Sequence, residues 1–209
     1  MVDALLLVMM EPPSALEDEF NDWYDTEHFP QRRALPGFET ASRWVCLAGF
    51  PRWLALYDLT TVDALATEDY LAVSGANSTP WSRRVLPRTI GRERIVCRRA
   101  EPGTDPTRPA TETARLVAAR YSGTSADRDR AALRGRVEGL PGLIQLRVFE
   151  TVGPAPDRRA AGGGTTTWVL AAFDRPAAPD RLTEAFATLG EAGARLVNVY
   201  APYLREGGP

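Results

Sequence analysis

The run Asn21-Asp22-Trp23-Tyr24-Asp25-Thr26-Glu27-His28-Phe29-Pro30 gathers the only histidine of the chain beside two large aromatic residues and several acids. On a helix, Phe20, Tyr24 and His28 share one stripe, Asn21 and Asp25 lie on its flank, and Trp23 and Glu27 form the neighbouring stripe. An imidazole so placed is suited to moving protons. A carboxylate one turn ahead, Asp25, or the adjacent Glu27 can orient the ring, and the former with the helix C-terminus can favour its protonated form. Tyr24 could hold a carbonyl or enolate oxygen as it gains charge. The competing reading makes Trp23 and Tyr24 core packing and His28 a helix-end cap, and residue types alone leave both open.

Other chemistries are poorly supplied. All 25 basic residues are arginine, so a lysine Schiff base is excluded. One histidine cannot build a two-histidine, one-carboxylate iron site, although a haem would need only one proximal ligand. Cys46 and Cys97 are far apart, lie within strand-like runs and read as packing rather than as nucleophiles or zinc ligands. There is no Gly-x-Gly-x-x-Gly opening a helix and no phosphate-binding loop, and Gly162-Gly163-Gly164 reads as a hairpin loop. No metal and no cofactor are therefore expected. The 25 basic against 27 acidic residues give a net charge of -2, which offers no global field for nucleic acid or an anionic bilayer. No apolar run approaches the roughly 18 residues that cross a membrane. The start Met1-Val2-Asp3 lacks a secretory signature, so the expected compartment is the cytoplasm.

The elements that must position these residues follow from periodicity. Leu5 to Met10 reads as a buried strand, and Ser14 as the cap of a helix from Ala15 to about Leu35 that Pro30 should end or kink near His28. Leu35-Pro36-Gly37-Phe38 turns the chain into a strand over Glu39 to Leu47, paired as a hairpin with Trp53 to Leu59. A helix over Val62 to Val73 and a strand near Glu93 to Cys97 complete the order βαββαβ. Residues 101–112, rich in proline, read as a linker. The order then repeats, with strands over Leu116 to Tyr121, Ile144 to Val152, Trp168 to Asp174 and Arg195 to Tyr200, and helices over Ala126 to Glu138 and Asp180 to Leu189. Leu140-Pro141-Gly142 reproduces Leu35-Pro36-Gly37 at an offset of 105 residues. The expected fold is α+β: two tandem ferredoxin-like units, 1–100 and 113–209, facing each other through their sheets as a pseudo-dimeric α+β barrel whose interior is partly a pocket. Further pairing of these pseudo-dimers into a homo-oligomer is left open.

The run EFNDWYDTEHFPQRRALPGF, Glu19 to Phe38, resembles the helix-and-turn signature of EthD-like members of the dimeric α+β barrel superfamily. Tyr70 to Arg83, with its Gly75, Asn77, Pro80 and Trp81, is similar to the segment after the second helix in such proteins. The resemblance implies a pocket with His28, Asp25 and Tyr24 as the chemical group and Trp23, Asn77, Trp81 and Arg83 around the substrate, the last three on a loop that could roof the cavity. Its relatives include cofactor-free monooxygenases, polyketide cyclases, decarboxylases, isomerases and haem enzymes. The implied activity is cofactor-independent acid–base chemistry of the lyase, isomerase, cyclase or decarboxylase type on a small aromatic or polyketide-like molecule. A non-catalytic small-molecule binding or stress-response barrel, or a cofactor-free monooxygenase, is the alternative. Trp23, Trp44, Trp53 and Trp81 crowd the first unit, which suits a flat ligand as well as plain core packing. The 105-residue offset puts Leu133 where the first unit has His28, so only one half would be active.

Overall fold

A computed structural model describes residues 1–122, 131, 134–152, 166–188 and 193–204. Its first strand, β1 (Ala4–Glu11), is apolar on both faces because both are covered. Leu5, Leu7 and Met9 point one way, and Ala4, Leu6 and Met10 the other. The strands β2 (Phe38–Ala48), β3 (Trp53–Leu59) and β4 (Ile90–Arg99) follow, then β5 (Arg115–Ser122), β6 (Leu143–Thr151), β7 (Thr166–Phe173) and β8 (Ala194–Pro202). They close into one barrel in the order β1-β3-β2-β8-β5-β7-β6-β4.

All pairings are antiparallel, and within each run of four the order is fourth, first, third, second. The two runs meet at short seams, β2 with β8 through Trp44 to Ala48, and β4 with β6 through Cys97 to Arg99. The turns after the first helix of each run need a residue at positive φ, which Gly37 (φ 82°) and Gly142 (φ 84°) supply. A Cβ at Gly37 would stand 2.8 Å from that of Ala64, so this turn also requires the missing side chain.

The barrel interior is filled rather than hollow. Leu5, Leu7, Met9, Trp44, Leu54, Leu56, Phe149, Trp168 and Tyr200 all lie buried in it, which corrects the expectation of an internal pocket. Bulky side chains from both runs occupy the space a ligand would need. One end of the interior is closed by a buried polar knot. Arg147 of β6 donates to Asp58 of β3 at 2.7 Å and to Thr107 at 2.5 Å, while Thr40 and the Thr107 amide donate to the same carboxylate. Burial pushes the Asp58 carboxyl up, but Arg147, Thr40 and the amide outweigh it and hold it below the usual carboxylate range. The connecting segment is thus fastened to both runs of strands.

The helices lie outside the barrel. The first helical stretch differs from the single helix expected. A 3-10 turn (Ser14–Leu16) leads into α1 (Glu17–Trp23), a π-helical turn (Tyr24–His28) and α2 (Phe29–Arg33), and Ser14 makes no capping bond. Pro30 therefore does not end the helix. The wide turn just before it relieves the clash of the proline ring with the carbonyl one turn back, and the chain stays helical to Arg33. The expected helix over Val62 to Val73 is broken by Thr67, whose hydroxyl caps α3 (Glu68–Ala72). A short helix α4 (Pro80–Val85), capped by Thr79, occupies what read as loop. In the second half α5 spans Pro179–Ala187. The Gly162-Gly163-Gly164 loop and Leu133 lie outside the described residues.

Candidate functional site

The helix-facing side of β1, β2, β3 and β4 and the stretch α1 to α2 enclose an aromatic layer containing Phe20, Trp23, Tyr24, Phe38, Trp53, Tyr57 and Tyr70. Helical spacing sends Phe20, Trp23 and Tyr24 into it, and strand alternation sends Trp53, Ala55 and Tyr57 to meet them. The π-helical turn spans the residues that carried the chemical expectation, Tyr24, Asp25 and His28. Such turns occur often at functional sites, because the extra residue shifts the register of the side chains that follow. His28 stacks on Trp23 with ring centroids 4.5 Å apart and meets Tyr24 edge-on at 5.3 Å.

His28 is half-buried, but its Nδ1 is fully covered and has no hydrogen-bond partner. Burial, then the charges of Arg32 and Arg43, lowers its pKa to about 3, so the ring is neutral. This reverses the protonated form expected from a nearby carboxylate. Asp25, the carboxylate in question, is bound instead to Arg43 and to the Tyr203 hydroxyl, the latter at 3.2 Å. Arg43, itself buried, also donates to Asn21 at 2.8 Å and lies over the rings of Phe20, Tyr24, Trp53 and Tyr203 at 4.3–5.8 Å.

In the same layer the Trp53 Nε1 is also buried without a partner, and the buried Tyr57 hydroxyl lies beside that of Tyr24. Burial raises the pKa of Tyr57 well above that of a free phenol and also raises that of Tyr24, so both remain protonated donors. Arg32, four residues after His28, is buried as well. It donates to the Val73 carbonyl and to Ser74, both at 2.8 Å, and its guanidinium lies over Tyr70 at 5.1 Å. Arg94 in turn holds the Tyr70 hydroxyl at 2.9 Å. The result is an apolar box with a neutral imidazole, two phenolic hydroxyls and fixed positive charge nearby. These parts can take a proton from a bound molecule and stabilise the anion that remains.

The segment before α4 is clasped onto the π-helical turn, with Thr79 donating to Glu27 at 2.5 Å and Trp23 donating to Ser82 at 3.1 Å. Trp81, half-buried, donates to Glu19 at 3.1 Å. Asn77 is exposed and closes its own loop on the Leu71 carbonyl, and Arg83 is exposed. Trp23, Tyr24 and His28 are thus brought together, Asp25 joins them through Arg43, Trp81 packs against the same cluster, and Asn77 and Arg83 stand apart. Reading the sequence missed Arg32, Arg43 and Tyr57. The available signal was an arginine in the helix-facing register Ala41, Arg43, Val45, where a strand covered on both faces should carry an apolar residue. Both thiols are unreactive by environment, since burial pushes Cys46 up to about 11 and Cys97 higher still.

No family model and no curated protein matches the chain. Solved structures do match over nearly its whole length. An anthrone oxidase-like protein aligns with a TM-score of 0.55 and 11% identity, covering 96% of this chain and 91% of its own. A chlorite dismutase-like protein gives 0.56 and 10%, covering 98% and 96%. A heme-binding protein from Thermus thermophilus gives 0.50 and 13%, covering 99% and 93%. This is the dimeric α+β barrel fold. At such identities the likeness carries the architecture and not the reaction. The His28 ring is stacked on Trp23, and the large cleft nearby is not lined by it. Among the described residues no group of three His, Cys, Asp or Glu side chains could hold a metal ion, and no helix is long and apolar enough to cross a membrane.

Proposed function

We propose that the protein catalyses cofactor-independent proton transfer on a small aromatic or polyketide-like molecule, with His28 and the groups around it as the reacting set. The observation that carries this reading is His28 Nδ1, a buried polar atom without a hydrogen-bond partner that sits beside the buried hydroxyls of Tyr24 and Tyr57 in a box otherwise built of rings. Leaving such a group unsatisfied costs about 1–3 kcal/mol, a loss that stability alone gives no reason to keep. The likeness of Glu19 to Phe38 to EthD-like proteins supports the same place. So does the strand order, read as two ferredoxin-like units, 1–100 and 113–209, with 101–112 between them and the chemistry confined to the first.

In this reading His28 is the proton acceptor. Its pKa is low because burial, and then two guanidinium charges, oppose a third positive charge, and an anion formed beside it reverses that balance. Tyr24 and Tyr57 donate to the oxygen on which negative charge develops, with Arg32 and Arg43 supplying the field. Asp25 acts as a positioning residue through Arg43. Trp23 supplies the stacking surface behind the ring, and the segment carrying Asn77, Trp81 and Arg83 covers the turn.

Anthrone is a suitable probe, because its enolisation requires only removal of a proton from the ring carbon opposite the carbonyl. Exchange of that proton for deuterium, followed without oxygen, should be accelerated by the protein. His28→Gln should lower the acceleration about 10²–10⁴-fold with the fold retained. Binding of anthrone without exchange would support the non-catalytic reading instead, and full activity in His28→Gln would remove the histidine from the mechanism.

A further inference from the structure

We infer that the cleft beside the free edge of β2 is a second binding site, one that takes a small apolar molecule carrying a single carboxylate. The cleft measures about 1160 Å³ and runs between the end of the first helical stretch, β2 residues Glu39 to Arg43, residues 107–111 and the Tyr203-Leu204 end of the barrel. It exists because β8 pairs with β2 only from Trp44 onward, which leaves the first half of β2 without a neighbour on that side. Its apolar walls come from Phe29, Pro30, Ala34, Pro109, Ala110 and Leu204.

Charge selects the ligand class. Arg33 of α2 and Arg108 of the connecting segment both line the cleft and are exposed, and no described acid pairs with either. Glu39 is the acid left to answer them, because Asp25 is held by Arg43. Two guanidiniums against one carboxylate leave a single positive charge, matched by a monoanion rather than by a phosphate-like dianion. Arginine forks suit a carboxylate, and the apolar walls suit the rest of an aromatic or short-chain acid. Phe29 lines the cleft and also packs on Tyr57, with ring centroids 6.2 Å apart, so it stands between this site and the enclosed groups around His28. The inference does not depend on what His28 does.

The test is calorimetric titration of the full chain with a naphthalene carboxylate and, for comparison, the neutral naphthalenemethanol. The carboxylate should bind more tightly than the alcohol. Arg33→Gln combined with Arg108→Gln, both exposed positions, should weaken the carboxylate about tenfold and leave the alcohol unchanged. His28→Gln should leave carboxylate binding as it is. The inference is overturned by equal binding of acid and alcohol, by an acid affinity indifferent to the double substitution, by loss of binding in His28→Gln, or by no binding at millimolar concentration.

Discussion

His28 is neutral because burial and the nearby charges of Arg32 and Arg43 oppose its protonation, and this has a consequence for stability that can be read without any substrate. The unfolded chain takes up a proton at His28 near the ordinary histidine pKa of about 6.5, whereas the folded chain refuses it down to about 3. Between those values the unfolded state binds more protons, so stability falls as pH falls, by at most about 1.4 kcal/mol per pH unit from this group. Above pH ~6.5 the contribution is flat. Urea midpoints of the wild type and His28→Asn, compared from pH 7 to 4, should diverge on acidification, with the variant losing less. Parallel curves would mean that the ring is not held neutral. The composition of this site was partly legible in the sequence. Trp23, Tyr24 and His28 sit at helical spacing and come together as that spacing requires. The partner of Asp25 was not legible, because the helix pattern sets Asp25 beside His28 while the guanidinium that takes it comes from β2, 18 residues later.

At the scale of elements, the π-helical turn and the segment clasped onto it form one unit. Thr79 does two jobs there, accepting from the Ser82 amide at 3.0 Å as the cap of α4 and donating to Glu27. Thr79→Val keeps the shape and removes both bonds. It should cost about 1–2 kcal/mol, the usual size of a lost cap, visible as a lowered melting temperature. Thr79→Ser should restore most of it. A valine variant as stable as the wild type would show that the clasp contributes nothing. The strands were legible almost to the residue, because burial on both faces forces continuous apolar runs such as Leu5 to Met10 and Trp53 to Leu59. The helices were not. Thr67 and Thr79 are caps inside stretches that read respectively as helix and as loop, and Pro30 is tolerated by a register change that no pattern of apolar residues encodes.

At the scale of the molecule, each run of four strands depends on the other. The second half of the β2 edge is covered by β8 and the end of β4 by β6, and the Asp58 carboxylate of the first run is answered by Arg147 of the second. A fragment of residues 1–100 would expose the inner face with Leu5, Leu7, Trp44 and Leu56, together with two open edges. On a sizing column with light scattering it should aggregate or run as a homodimer, and a stable soluble monomer would contradict the shared interior. The closed barrel was legible from element order and from the repeated Leu-Pro-Gly turn. The packed interior was not, since a strand apolar on both faces reads the same whether its inner face meets a ligand or a facing side chain. Here Trp44, Phe149, Trp168 and Tyr200 fill the space.

The central claim, a half-buried neutral imidazole poised to accept a proton, is tested most directly by proton NMR titration of the untagged chain. With one histidine in the sequence, a single imidazole signal follows His28 without assignment. It should hold the chemical shift of a neutral ring from about pH 8 down to 5, the range in which an ordinary histidine changes charge. A midpoint near 6.5 would contradict the account.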